Sequence, residues 1–327
     1  WQSEMSTQDA LPIALAVGAV GLGAIYWLMS PSKGSSSESA KKAKPFLDRS
    51  RQSVKLIKKD ELSPDTFLYR FALPNDKDML GLPIGKHIKV YGKTPQSKVA
   101  GEWNGKPIAD HEKVEIERKY TPTSSDNDLG YFDIVVKCYF PGATYTPPRD
   151  RFVDGGMLSQ FIHAVKLGET VDIAGPFGHI EYKGKGLFEV GRKPIGVAKK
   201  VGMIAGGSGL TPMLQIARAM LRDPEDTTAV SLLYANQTAE DILLWDTLKE
   251  MKKEYPRRFK FYLTLDRPPT GWEGFKGFIS DSMLVDSIPP PAPDTLVLMC
   301  GPPPMIDFAC KPNLDKLGYD PARVLAF

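Results

Sequence analysis

The chain has 327 residues, 25% of them charged, and a formal net charge of +3. That length allows two domains with separate cores, while so small a charge, with no arginine-rich or RNP-like run, excludes nucleic acid as the expected partner. Three cysteines (Cys138, Cys300, Cys310) without a C-x-x-C pair give neither a disulfide framework nor a zinc pattern, and the four histidines (His87, His111, His163, His179) are too scattered for a metal cluster. The main body therefore reads as reduced, cytosolic protein.

Residues 11–29, LPIALAVGAVGLGAIYWLM, carry no charge. As a helix they would span roughly 28 Å, close to the hydrocarbon thickness of a bilayer. Tyr26 and Trp27 stand near the end, where amphipathic rings favour the interface. Glu4 and Asp9, in place of Lys or Arg, argue against a secretory signal peptide. Lys33, Lys41, Lys42, Lys44, Arg49 and Arg51 behind the run place the C-terminal bulk on the cytosolic side. The expectation for 1–29 is a single membrane anchor, with Met5 a candidate initiator. Ser, Gly and Lys dominate 30–44, so 30–52 is expected to be a flexible tether.

From 53 to about 183 the runs 54–57, 66–71, 87–90, 114–120, 132–140 and 170–174 are short and β-prone, broken by Pro, Gly, Asn and Asp. With one short helix at 157–165 they predict a small antiparallel barrel. A polar stretch between Gly92 and Glu117 reads as a surface excursion. Gly and Lys mark 184–196 as a linker. Beyond it the grammar changes. Strands at 201–205, 229–235, 259–265 and 295–300 alternate with helices at 213–221, 241–251 and 305–317, which predicts a doubly wound parallel sheet over 197–327.

Four stretches carry chemistry. In Arg118-Lys119-Tyr120-Thr121-Pro122, Arg can grip a pyrophosphate, Tyr can stack on a flat ring and Thr can donate to a ring nitrogen; alone, the motif is better read as an ordinary cross-strand pair. Gly155-Gly156-Met157-Leu158-Ser159 offers bare N–H groups and a hydroxyl at a helix start, which suits phosphate or a plain cap. Val201–Met213, VGMIAGGSGLTPM, joins a buried strand to a helix through Gly206, Gly207 and Gly209, with Thr211 placed to cap the helix and Pro212 in its first turn. Lastly, three prolines stiffen Cys300-Gly301-Pro302-Pro303-Pro304-Met305 after an apolar strand and hold Cys300 at the sheet edge, where ligands bind.

In this order the four motifs resemble the NADH–cytochrome b5 reductases, of the ferredoxin reductase-like flavoprotein group, from about Ser53 to Phe327. The resemblance implies an FAD-binding antiparallel β-barrel followed by an NADH-binding doubly wound domain, behind an N-terminal transmembrane helix. Arg118 would meet the flavin pyrophosphate, with Lys119 beside it in the cofactor site, and Tyr120 and Thr121 would hold the ring near its reacting nitrogen. Val135, Lys137 and Phe140 would line the flavin site. Gly156, Met157, Leu158 and Ser159 would bind phosphate, with Thr211 approaching from the other domain. NADH would lie across Gly207, Ser208, Gly209, Asp266, Phe278, Cys300, Gly301 and Pro302. Thr121 and Cys300 would act at the reacting centre, with no metal.

The implied activity is hydride transfer from NADH to FAD, then single electrons to cytochrome b5 or a similar haem protein. A monomer anchored in the endoplasmic reticulum or mitochondrial outer membrane and facing the cytosol is the implied setting. The rival readings are the reductase module of a nitrate reductase-type flavoprotein and a tethered scaffold without flavin. Two features depart from the family pattern: Met157 stands where Lys is usual, leaving Lys119 or Lys137 to compensate, and the Gly92–Glu117 stretch is long. A carboxylate at Asp266, ending a strand, can accept from an adenosine ribose and would repel a 2′-phosphate.

Overall fold

The computed structural model describes residues 44–142 and 153–327. The expected span at 11–29 and most of the tether lie outside the described residues, among which no helix is long and apolar enough to cross a membrane.

Alternation with a period of two builds the first sheet. In β2 (Thr66–Ala72) Phe67, Tyr69 and Phe71 are buried while Leu68 and Arg70 are only partly so, the mark of a strand with one face on a core. The remaining members are β1 (Gln52–Ser63) and β3 (His87–Lys93), then β6 (Glu115–Tyr120), β7 (Tyr131–Lys137) and β8 (Thr170–Phe177), following a small hairpin of β4 (Glu102–Trp103) and β5 (Lys106–Pro107). They pair antiparallel in the order β6-β3-β8-β1-β2-β7. The expected barrel is thus a six-stranded sheet whose edges are β6 and β7. Helix α1 (Met157–Ala164) covers β3 at Gly92, where a Cβ would collide with Phe161 and Leu158.

The four strands read for the parallel sheet form, and two short ones join them at its edges. Its order is β15-β14-β13-β12-β16-β17, from β12 (Lys200–Gly206), β13 (Ala229–Asn236), β14 (Phe259–Leu265), β15 (Phe275–Lys276), β16 (Thr295–Cys300) and β17 (Val324–Ala326). Both faces are covered. Val201, Met203 and Ala205 enter one core with α2 (Leu210–Arg222) and α3 (Trp245–Glu254). Ile204 enters the other with α4 (Asp281–Ser287), which the sequence reading omitted. Order reverses between β12 and β16, so the crevice at their C-terminal ends is a topological switch point, the usual ligand seat in such sheets. The last helix begins at α5 (Pro303–Met305), passes through a π-turn at Ile306–Cys310 and continues as α6 (Lys311–Lys316).

Residues 184–196 are not a linker. β9 (Ile180–Gly184), β10 (Leu187–Val190) and β11 (Lys193–Val197) form a three-stranded antiparallel sheet. Its two-residue turns, Lys185-Gly186 and Gly191-Arg192, have positive φ at both positions; that geometry matches strand twist and favours glycine. Glycines that suggested slack make tight hairpins. Ile180, Tyr182 and Phe188 of this sheet share a core with β12 and α2.

Candidate active site between the two sheets

Bonds across the seam hold the antiparallel and parallel halves together. Lys137 on β7 lies between Asp65, at 2.9 Å, and Asp241 of the parallel half, at 2.6 Å. Arg218 on α2 donates to the Thr123 carbonyl at 2.7 Å, and Gly85 N donates to Gln215 Oε1 at 2.8 Å. Between the halves opens a cleft of about 960 Å³, at the upper end of the usual size for a ligand site.

Most of the residues expected at the site line this cleft: Arg118, Lys119, Tyr120, Thr121, Val135, Lys137, Gly156, Met157, Leu158 and Ser159 from one half, and Gly207, Ser208, Gly209, Thr211, Cys300, Gly301 and Pro302 from the other. Three are placed elsewhere. The Phe140 ring packs on His163, 4.9 Å between centroids, within the antiparallel core. Asp266 follows β14 on the same sheet edge as Gly206 but two strands away, its carboxyl raised above the usual range by burial against the pull of Arg267. Phe278 points to solvent, 79% exposed.

Arg118 lies within the edge strand β6, two residues before its end, and is oriented by the chain itself, since its Nη1 donates to Glu112 Oε1 at 2.6 Å and to the Glu117 carbonyl at 2.8 Å. Lys137 is neutralised by its two carboxylates and cannot replace the cation missing at Met157. Lys119 is exposed on the cleft wall and has no ion-pair partner among the described residues. The Ser159 hydroxyl accepts from Tyr139 N and donates to the Gly156 carbonyl, each at 3.3 Å, so it fixes the turn before α1, whose cap is Gly156.

On the opposite wall Thr211 does not cap its helix as expected. The cap is Gly209, and the Thr211 hydroxyl donates back to the Ser208 carbonyl at 3.2 Å, a local bond open to Thr within a first turn. Tyr234 OH donates to the Gly207 carbonyl at 3.1 Å and steadies the glycine turn. A Cβ on Gly209 would stand 2.1 Å from the Cys300 carbonyl, so only glycine lets the two loops touch. At Gly207 a Cβ would meet nothing within 4 Å, which leaves bare backbone toward the cleft. Burial pushes the Cys300 thiol up to about 11, so it stays neutral at ordinary pH.

The sequence reading missed His87, His179, Phe177 and Phe327 in the cleft. His87 was legible in principle: Ile88 pairs with Tyr120, so a histidine heading β3 must stand at the end of the Arg118–Thr121 strand. Burial, with Lys119 and Lys89 nearby, pushes its imidazole down to about 4. Phe327 donates its N–H to the Met299 carbonyl at 2.9 Å, which places it next to Cys300. Cationic Arg118 and Lys119 facing open backbone N–H groups fit a dinucleotide with a pyrophosphate, and the apolar centre fits flat rings.

Residues 53–182 match the oxidoreductase FAD-binding domain family and 203–311 the oxidoreductase NAD-binding domain family. NADH-cytochrome b5 reductase 2 of Xenopus laevis is 42% identical over 319 residues, 96% of this chain and 99% of the frog protein. The chain belongs to the NADH–cytochrome b5 reductase family. Mouse NADH-cytochrome b5 reductase 3 is 43% identical over 279 residues, covering 84% of this chain and 85% of its own. Among solved structures, the cytochrome b5 reductase domain of Ulva prolifera nitrate reductase superposes with a TM-score of 0.76 at 38% identity, covering 86% of this chain and 100% of that domain. As a b5 reductase family member with both domains, the chain is an FAD-containing, NADH-dependent oxidoreductase.

Proposed function

We infer that this enzyme passes hydride from NADH to FAD and then single electrons to cytochrome b5 or a similar haem protein. The observation that carries the reading is the single cleft in which the Arg118–Thr121 strand and the α1 turn face Gly207–Gly209 and Cys300–Pro302. FAD, when bound, supplies the step from a two-electron donor to one-electron acceptors. The chain supplies position. Arg118 and Lys119 hold the pyrophosphate, with Lys119 standing in for the cation absent at Met157. Tyr120 and Thr121 would fix the ring, and the helix start at Met157–Ser159 would offer N–H groups to phosphate. Thr211 meets the ring from the other half.

On the nucleotide side the Gly207–Gly209 turn and Gly301–Pro302 would seat NADH, with neutral Cys300 as a spacer beside the nicotinamide. Asp266, outside the cleft but on the same sheet edge, would favour NADH over NADPH by repelling a 2′-phosphate on an adenosine ribose laid along that edge. Residues 11–29 anchor the enzyme in a cytosol-facing membrane, where a tethered reductase meets a membrane-held haem protein at high effective concentration. A b5 reductase 2 from Xenopus tropicalis aligns over 99% of this chain and 100% of its own length, which supports the b5 reductase reading over the nitrate reductase one.

The test is an absorbance spectrum of purified protein, anaerobically, before and after NADH, followed by cytochrome b5. A flavin spectrum that NADH bleaches and the cytochrome restores is expected; colourless protein that takes up no added FAD would overturn the reading.

A further inference from the structure

We propose that the excursion between β3 and β6 is a brace for the phosphate side of the flavin site, with Trp103 and Asn104 as positioning residues; the inference rests on the flavin reading above. The β4–β5 hairpin folds onto the turn that opens α1. Trp103 is buried, and its Nε1 donates to the Gly155 carbonyl at 2.8 Å. Asn104 Nδ2 donates to the same carbonyl at 2.9 Å, while Asn104 Oδ1 accepts from Asp154 N at 2.7 Å. The buried Asp154 carboxylate accepts in return from Asn104 N, at 2.7 Å, and from Lys98 N, at 3.0 Å. Five hydrogen bonds thus join two stretches some fifty residues apart.

From its other side the turn is held by Tyr139, whose carbonyl accepts from Gly156 N at 2.8 Å and would sit 2.4 Å from any Cβ on Gly155. The turn is clamped between two fixed surfaces. At its far end the same excursion delivers Glu112 to Arg118. One segment therefore grips both polar elements of the wall, the guanidinium and the N–H-bearing turn. A loop ordered in advance spends less of the ligand's interaction energy on immobilisation, so bracing strengthens binding without touching the ligand.

The experiment uses full-length apoprotein titrated with FAD and, separately, with riboflavin, which carries the ring but no phosphate. The apoprotein's unfolding midpoint is recorded alongside. Asn104 has φ +50°, so Asn104→Gly removes the side chain without backbone strain. Trp103→Phe keeps the packing and removes the donor. Each should weaken FAD by about ten-fold, as expected for loss of hydrogen bonds to a buried turn, and leave riboflavin within about two-fold. An equal loss for both flavins would make the excursion a general support of the domain and overturn the proposal, as would no loss for either. Failure of the unmodified chain to take up FAD would instead strike the flavin reading beneath it.

Discussion

One wall of the cleft presents side chains beside a helix start: Arg118 to Thr121 at the end of an edge strand, next to the turn that opens α1, all on the antiparallel half. The other presents chiefly backbone, through Gly207, Gly209, Gly301 and Pro302. Open edge strands can aim long cationic side chains, whereas the switch point of a parallel sheet offers two tight loops and a helix start. The two walls should therefore fail differently, one on losing atoms and the other on gaining them.

Gly209→Ala should show the largest effect. Its Cβ would drive against the Cys300 carbonyl, so overpacking should cost about 3 kcal/mol in a urea titration. Displacing the nicotinamide by even an ångström should slow flavin reduction by NADH about a hundred-fold in stopped flow. Arg118→Ala, a deletion on the other wall, should leave the fold stable and weaken FAD by roughly thirty-fold, because a charge-assisted contact to phosphate is lost; fluorescence of released flavin reads it. A Gly209→Ala protein that binds and reacts normally would end the contrast.

Cys300→Ala sharpens it further. The loss is a spacer, so FAD should stay bound while flavin reduction slows about ten-fold, within the range that misplacement spans. With the thiol near 11, the rate in unmodified protein should show no thiol inflection between about pH 6 and 9. His87 gives the smallest effect. Its imidazole is held neutral down to about 4, whereas the unfolded chain takes up that proton below the ordinary value of 6.5. The unfolded state binds more protons between those limits, so stability should fall as pH drops from 6.5 towards 4. His87→Gln should flatten that slope in thermal midpoints measured across the window.

The strands were legible where burial alternates or runs unbroken, as in β2 and β12, and the four motifs did converge on one cleft. Residues 184–196 were misread because the same glycines serve slack linkers and type I′ hairpins, and only the φ values separate the two uses. The partnership of Glu112 with Arg118 was hidden for another reason. An ion pair six residues apart across a strand boundary has no periodic signature. Asp241, which holds Lys137, is 104 residues from it in sequence, so the spent charge of that lysine could not be read from its neighbours. Trp103 looked like a residue of a polar excursion, yet the indole and its N–H find both a core and an acceptor.

The small sheet of β9, β10 and β11 decides where the enzyme can be divided. Ile180, Tyr182 and Phe188 contribute to the core beneath β12, Ala198 N donates to the Gly186 carbonyl, and Arg323 reaches back to the Ile195 carbonyl. A graft that took only residues from 197 onward would strip apolar cover from the parallel sheet and leave Arg323 Nη1 without its acceptor, with only the Nε bond to the Thr295 carbonyl kept. The exchangeable cassette begins before Ile180. Chimaeras that pair this nucleotide half with a foreign flavin half should place their junction there, and inherit the hairpins with it.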